Sequence, residues 1–269
     1  MELFGESFVR NALAASVIAG GLCAFLGVYV VLRRIVLLGI ALSEISAPGV
    51  AAGFFLGFDP TASSLALAVA AVLAFWLPHR SIALPRESVM GFAYVLAASL
   101  AIILVAKNPA AESRGFDIVS GNLLYADASD VATIGVVAAA VLALHLLRGR
   151  TFIFASFDPE TARAAGVRVA LYDLALYLSL GISIAVSMKI AGVLFVFGSL
   201  VVPPMTALAL ARRMPLVFAA AVLCSVAAAI GGIAASIAFD WPAAPAVMTA
   251  ACALFAVVAG AAFALRRRR

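Results

Sequence analysis

The chain has 269 residues, of which 66% are hydrophobic and only 12% charged, with a formal net charge of +5. Ordinary soluble domains run nearer ~45–50% apolar and ~25% charged, so a soluble enzyme, a disordered regulator and a sizeable extramembrane domain are excluded. A membrane-spanning helix needs roughly 20 apolar residues, which leaves a polytopic membrane protein with room for about nine spans.

The first ten residues carry Glu2 and Glu6, and the apolar run that follows lacks a convincing cleavage site, so no cleavable signal is expected. Apolar runs at 11–32, 36–57, 61–78, 88–106, 130–147, 170–188, 190–210, 215–238 and 243–265 predict an all-α transmembrane bundle of nine spans. Only Lys189 separates 170–188 from 190–210, so eight spans is the alternative. The whole chain reads as one transmembrane domain, 1–269.

Nine spans sort the charges. One side receives Arg33, Arg34, Arg80, Arg86, Arg148, Arg150, Arg163, Arg168, Arg212, Arg213 and Arg266 to Arg269. The other receives Arg10, Lys107, Arg114 and Lys189 together with Glu2, Glu6, Asp59, Glu112, Asp117, Asp127, Asp130 and Asp240. Cytoplasmic loops are rich in Lys and Arg, which places the N-terminus outside and the C-terminus in the cytoplasm. The basic residues sit at segment ends rather than in a polar patch, so nucleic acid is not an expected partner.

In the second span Glu44 lies near mid-membrane, beside Ser43, Ser46, Pro48 and Gly49. An ionisable residue at that depth costs at least ~2.5 kcal/mol and is normally aimed at a cavity or a partner. It reads either as part of a translocation path or as a carboxyl hydrogen-bonded to a neighbouring helix. Gly49, Gly53 and Gly57 form a small-residue stripe suited to close helix packing. His79 and His145, near span ends, read as interfacial side chains, and Cys23, Cys224 and Cys252 as small buried thiols.

Two connections are long, 107–129 outside and 148–169 inside. The inner one holds Phe157-Asp158-Pro159-Glu160-Thr161-Ala162-Arg163-Ala164-Ala165-Gly166-Val167. Asp158 suits an N-cap, Pro159 the first helical position, Glu160 the positive end and Gly166 a left-handed stop. That predicts a two-turn helix outside the bilayer, placed to dock a soluble partner. Further on, Gly198-Ser199-Leu200-Val201-Val202-Pro203-Pro204-Met205-Thr206 puts two prolines in mid-span, which predicts a kink or break there. Pro203 and Thr206 join Glu44, Ser43 and Ser46 as candidates for a translocation path.

Neither of the two lysines, Lys107 and Lys189, follows a glycine, so the chain has no phosphate-cradling loop. Uphill transport would then draw on a partner or an ion gradient, and no strong internal repeat marks an inverted-repeat secondary transporter. Two rivals remain: an ion-coupled secondary transporter using Glu44, and a membrane scaffold.

The chain resembles the membrane permease subunits of ABC importers for zinc, manganese and iron. The resemblance is carried by Val31-Leu32-Arg33-Arg34, Gly39-x-Ala41-Leu42-Ser43, Glu87 before Gly91, Gly121-Asn122-Leu123-Leu124 followed by Asp130, and 157–167. It continues through Met188-Lys189-x-x-Gly192-x-Leu194, Pro203 with Thr206 and Arg212, and Asp240-Trp241-Pro242. It implies a multi-pass inner-membrane protein with no catalytic activity and no bound cofactor, the transported divalent metal being its substrate. It also implies a homodimeric pore, two copies of a cytoplasmic ATPase that binds ATP, and an extracytoplasmic metal-binding protein. The segment 157–167, with Phe157, Asp158, Pro159, Glu160, Ala162, Arg163 and Gly166, becomes the coupling helix. Where such permeases commonly place an Asp and a His four residues apart, this chain has Ile40 and Glu44. A lone oxygen donor suits harder ions such as manganese, whereas imidazole suits zinc, so Glu44 is the candidate metal contact.

Overall fold

The computed structural model describes residues 7–77, 85–107, 123 and 126–267. Glu2, Glu6, His79, Arg80, Glu112, Arg114, Asp117, Gly121, Asn122, Leu124, Arg268 and Arg269 lie outside the described residues, as do the side chains of Arg86, Arg266 and Arg267.

Every regular element among the described residues is helical. In chain order these are α1 (Ser7–Leu32), α2 (Val36–Leu56), α3 (Pro60–Trp76), α4 (Arg86–Ala106) and α5 (Ala128–Leu147). Then come α6 (Gly149–Phe157), α7 (Pro159–Ala164), α8 (Val169–Leu210), α9 (Met214–Phe239) and α10 (Ala243–Arg267). Seven of them are long and apolar enough to cross a membrane, and α3 is a shorter apolar helix. Their bounds follow the apolar runs closely because a helix is the one open-ended structure that satisfies its own backbone in lipid.

α1 and α8 form the buried centre, with α2 and α3 packed on one side and α9 and α10 on the other. Small residues make the close approaches. A Cβ on Gly49 would lie 2.6 Å from the Ser64 Cα, and one on Gly53 2.6 Å from the Pro60 Cα, so two glycines of the stripe seat α3 on α2. Gly57 instead ends α2 in the left-handed conformation. Asp59 caps α3 by accepting from the Thr61 amide at 2.7 Å, a bond that holds its carboxyl below the usual carboxylate range.

At 42 residues α8 would measure about 63 Å as one rod, twice the hydrocarbon core. It is not one rod. Gly192 sits inside it at φ 74°, ψ 170°, a backbone conformation essentially reserved for glycine. Asp173 pairs with Arg33 at the end of α1, and Gly181 packs on Ala68 and Val72 of α3. Ala185 accepts from Ser64, at the level of Gly49. Past Gly192, Phe195 reaches Gly20, while Leu200 returns to Gly39 and Gly27, near the level where Asp173 began. The chain therefore doubles back at Gly192, and α8 is two antiparallel arms.

Of the kink or break expected at Pro203-Pro204, no break is found: the dihedrals stay helical through both prolines. Pro204 leaves the Leu200 carbonyl without its helical donor. That carbonyl instead faces Gly27 of α1, where a Cβ would overlap it. The bare glycine lets the two backbones close up, a geometry that favours a Cα–H···O contact. Tertiary packing thus absorbs the defect.

Candidate functional site

Two regions carry the candidate residues: α2 with the second arm of α8, and the short helices α6 and α7 at the basic end of the bundle.

In α2, Glu44 is half-buried and shares an open strip with Ile40 and Leu37. It makes no ion pair or hydrogen bond among the described residues. Pro48, one turn on, has no amide to offer the Glu44 carbonyl, so this residue lacks the usual helical donor on its backbone oxygen as well as carrying the carboxylate. Ser43 and Ser46 are fully buried, and each hydroxyl donates to the carbonyl four residues earlier, Gly39 at 2.9 Å and Leu42 at 2.9 Å. Thr206 does the same to Val202 at 2.9 Å, and Pro203 is buried beside it. Of the five candidates only Glu44 reaches the surface of the protomer. α2 and the second arm of α8 meet where Gly39 touches Leu200, three residues before Pro203.

Among the described residues no three His, Cys, Asp or Glu side chains converge to hold a metal ion. Among the described residues of one chain Glu44 joins no such cluster.

At the opposite pole α7 is built as its sequence dictates. The Thr161 amide donates to Asp158 Oδ1 at 3.0 Å, and bonds from Thr161 hold the Asp158 carboxyl below the usual range. Pro159 opens the helix. The Val167 amide donates to the Ala162 carbonyl at 2.9 Å and the Gly166 amide to Arg163 at 3.0 Å, with Gly166 at φ 82°, a Schellman stop. Ala162 is buried against Ala155 and Val169, which fixes α7 on α6 and on the start of α8. Asp158, Glu160, Arg163 and Gly166 are exposed, so α7 presents a polar outer face, while Phe157, the last residue of α6, is exposed beside it.

Several features were not legible as functional residues. Lys189 Nζ donates to Asp130 Oδ1 at 2.8 Å, tying the turn of α8 to the first turn of α5. Asp127, the N-cap of α5, accepts from the Asp130 amide at 2.8 Å, and this bond lowers its pKa. His145 is not interfacial but 1% exposed. It stacks on Phe152 of α6 with ring centroids 4.3 Å apart, beside Phe25 and Tyr29 of α1. Phe152 is seven residues away, but Phe25 and Tyr29 come from the first helix, and their approach leaves no mark in the sequence around His145. Cys23 and Cys224 are buried as expected, whereas Cys252 is exposed.

A family model described as the ABC 3 transport family matches residues 6–262. The manganese transport system membrane protein MntC of Halalkalibacterium halodurans is 27% identical over 257 residues, covering 95% of this chain and 88% of that protein. The chelated iron transport system membrane protein YfeD of Yersinia pestis is 26% identical over 258 residues, covering 96% of this chain and 86% of its own length. Among solved structures, PsaBC from Streptococcus pneumoniae in complex with Fab shares the fold with a TM-score of 0.86 at 24% identity, over 94% of this chain and 91% of that one.

Proposed function

Because the chain belongs to the ABC 3 transport family, we propose that it is the membrane permease subunit of an ABC importer whose cargo is a divalent transition metal ion, with manganese favoured. It is a multi-pass inner-membrane protein and not itself an enzyme; ATP hydrolysis belongs to a separate subunit. The observation that carries the reading is the match from residue 6 to residue 262, which spans both the Glu44 strip and α7. Relatives named for manganese and for iron transport support a transition-metal cargo.

Manganese is favoured over zinc by donor chemistry. Glu44 offers oxygen, Ile40 offers nothing, and no imidazole stands nearby on α2, whereas harder ions prefer oxygen ligands. In this reading Glu44 lines the path, and a second copy of the chain would bring a second such carboxylate to a shared pore. Ser43, Ser46, Pro203 and Thr206 then shape the wall of the path from behind rather than touching the ion. An extracytoplasmic metal-binding protein delivers the cargo. The helix α7 seats in the ATPase, with its cap and Schellman stop keeping it rigid under load. Nine spans with the N-terminus outside fit this arrangement: the two arms of α8 count as two spans, and α3 completes the set.

The test is co-purification with an ATPase subunit, followed by metal uptake into proteoliposomes. Uptake is expected with hydrolysable nucleotide and absent with a non-hydrolysable analogue. Uptake driven by an ion gradient through the isolated protein would overturn the reading in favour of a secondary transporter.

A further inference from the structure

The outer face of α6 carries apolar side chains that the ion path does not explain, and of them only Phe157 also belongs to the coupling segment. Phe152 and Ala155 point inward and are 1% exposed, anchoring the helix to the bundle. Arg150, Ile153, Phe154 and Phe157 fall at i, i+3, i+4 and i+7, which puts them on one face. With Met214 at the start of α9 they line an open groove of about 480 Å³. The groove is apolar throughout except for one guanidinium.

Its surroundings say what fills it. Leu146 and Leu147, immediately before α6, are 72% and 82% exposed, and Leu216, two residues after Met214, is 56% exposed. The groove thus adjoins exposed apolar side chains on α5 and α9, the kind of surface that hydrocarbon covers in a membrane protein. Arg150 is the basic residue of its lining, and Arg148, two residues before it, and Arg212-Arg213, just before Met214, add positive charge to the flanking segments. None of these four arginines makes an ion pair or side-chain hydrogen bond among the described residues. An apolar slot that adjoins the lipid face and is flanked by unpaired guanidinium groups matches an amphiphile with an anionic head and an acyl chain.

We propose that the α6–α9 groove is a binding site for one anionic phospholipid, its phosphate held by Arg150 with Arg213 and its acyl chain lying along Ile153, Phe154, Phe157 and Met214. The bound lipid would brace α6 against α9 at the base of α7. The inference needs the membrane location alone and is independent of which ion is carried.

The experiment uses the full complex purified from membranes containing phosphatidylglycerol, with native mass spectrometry counting retained lipids per chain. The native chain is expected to keep one phosphatidylglycerol that phosphatidylethanolamine does not replace. Arg150→Gln is expected to weaken retention roughly fivefold, the effect of one basic residue at a membrane surface, and Arg150→Lys to restore it. A second measurement needs no loss of charge: Ile153→p-benzoylphenylalanine, irradiated in the membrane, is expected to crosslink to phospholipid. Equal retention in native and Arg150→Gln complexes would overturn the proposal. So would crosslinking of position 153 to the ATPase subunit in place of lipid, which would assign the groove to protein docking.

Discussion

Lys189 and Asp130 form an ion pair at 2.8 Å that pins the turn of α8 to the first turn of α5. Lys189 sits three residues before Gly192, so the pair locks the one place where the central helix doubles back. Both side chains are half-sheltered, so the pair is worth more than an exposed one and less than a fully buried one. Lys189→Met or Asp130→Asn alone should cost about 1–2 kcal/mol, because each leaves a partly buried charge without its partner. The swapped double variant Lys189→Asp/Asp130→Lys should recover most of the loss. Thermal unfolding of the purified complex in detergent checks this; equal stability of the single and double variants would show that the two charges do not couple.

Gly192 carries the turn itself. An alanine there must hold a positive φ together with an extended ψ, a region that costs residues with a Cβ on the order of 1–3 kcal/mol. Gly192→Ala should therefore lower the yield of folded protein and its melting temperature. Gly135→Ala, where a Cβ meets nothing within 4 Å, should leave both unchanged. Size-exclusion profiles and melting curves of the two variants compare them directly.

At α7 the capping geometry makes a mechanical claim. Asp158→Ala removes the acceptor of the Thr161 amide, and Gly166→Val forces a β-branched residue into φ 82°. Either variant should assemble with the ATPase and hydrolyse ATP, yet lose several-fold in transport per ATP. Uptake and hydrolysis measured on the same proteoliposomes give that ratio. Full coupling in both variants would reduce 157–167 to a connecting loop.

The same cap fixes a pH dependence. The Asp158 pKa is lowered in the folded protein, so the helix stabilisation it supplies is complete above the unfolded carboxylate value. It is lost only as pH falls through the folded value. Coupling should accordingly be flat across neutral pH with respect to this residue, and Asp158→Asn, which also caps, should behave like the native chain there. A native-specific decline in coupling near neutrality would contradict the assignment.

The span positions were legible because lipid leaves the backbone no alternative to helix, and α7 because its cap, first-turn proline and stop are all local. What depended on distant contacts was not. Lys189 interrupts the apolar run, but the reversal is made by Gly192, whose backbone angles leave no mark in a hydropathy profile. Pro203 and Pro204 look like a break until Gly27 is seen against the carbonyl that Pro204 strands. His145 resembles an interfacial side chain until Phe25 and Tyr29 of α1 and Phe152 of α6 are brought around it. Glu44 was legible as a costly carboxylate, while its isolation from Pro203 and Thr206 was not, because their side-chain directions follow from packing.

The central claim is that Glu44 lines an ATP-driven path for a divalent metal. Radioactive manganese uptake into proteoliposomes holding the chain, its ATPase and its binding protein tests this most directly, with the native chain compared against Glu44→Gln. The amide preserves size and hydrogen bonding but removes the negative charge. The account expects both complexes to assemble and hydrolyse ATP, with uptake by the Gln variant nearly abolished. Undiminished, ATP-dependent manganese uptake by Glu44→Gln would contradict it and leave Glu44 a packing residue.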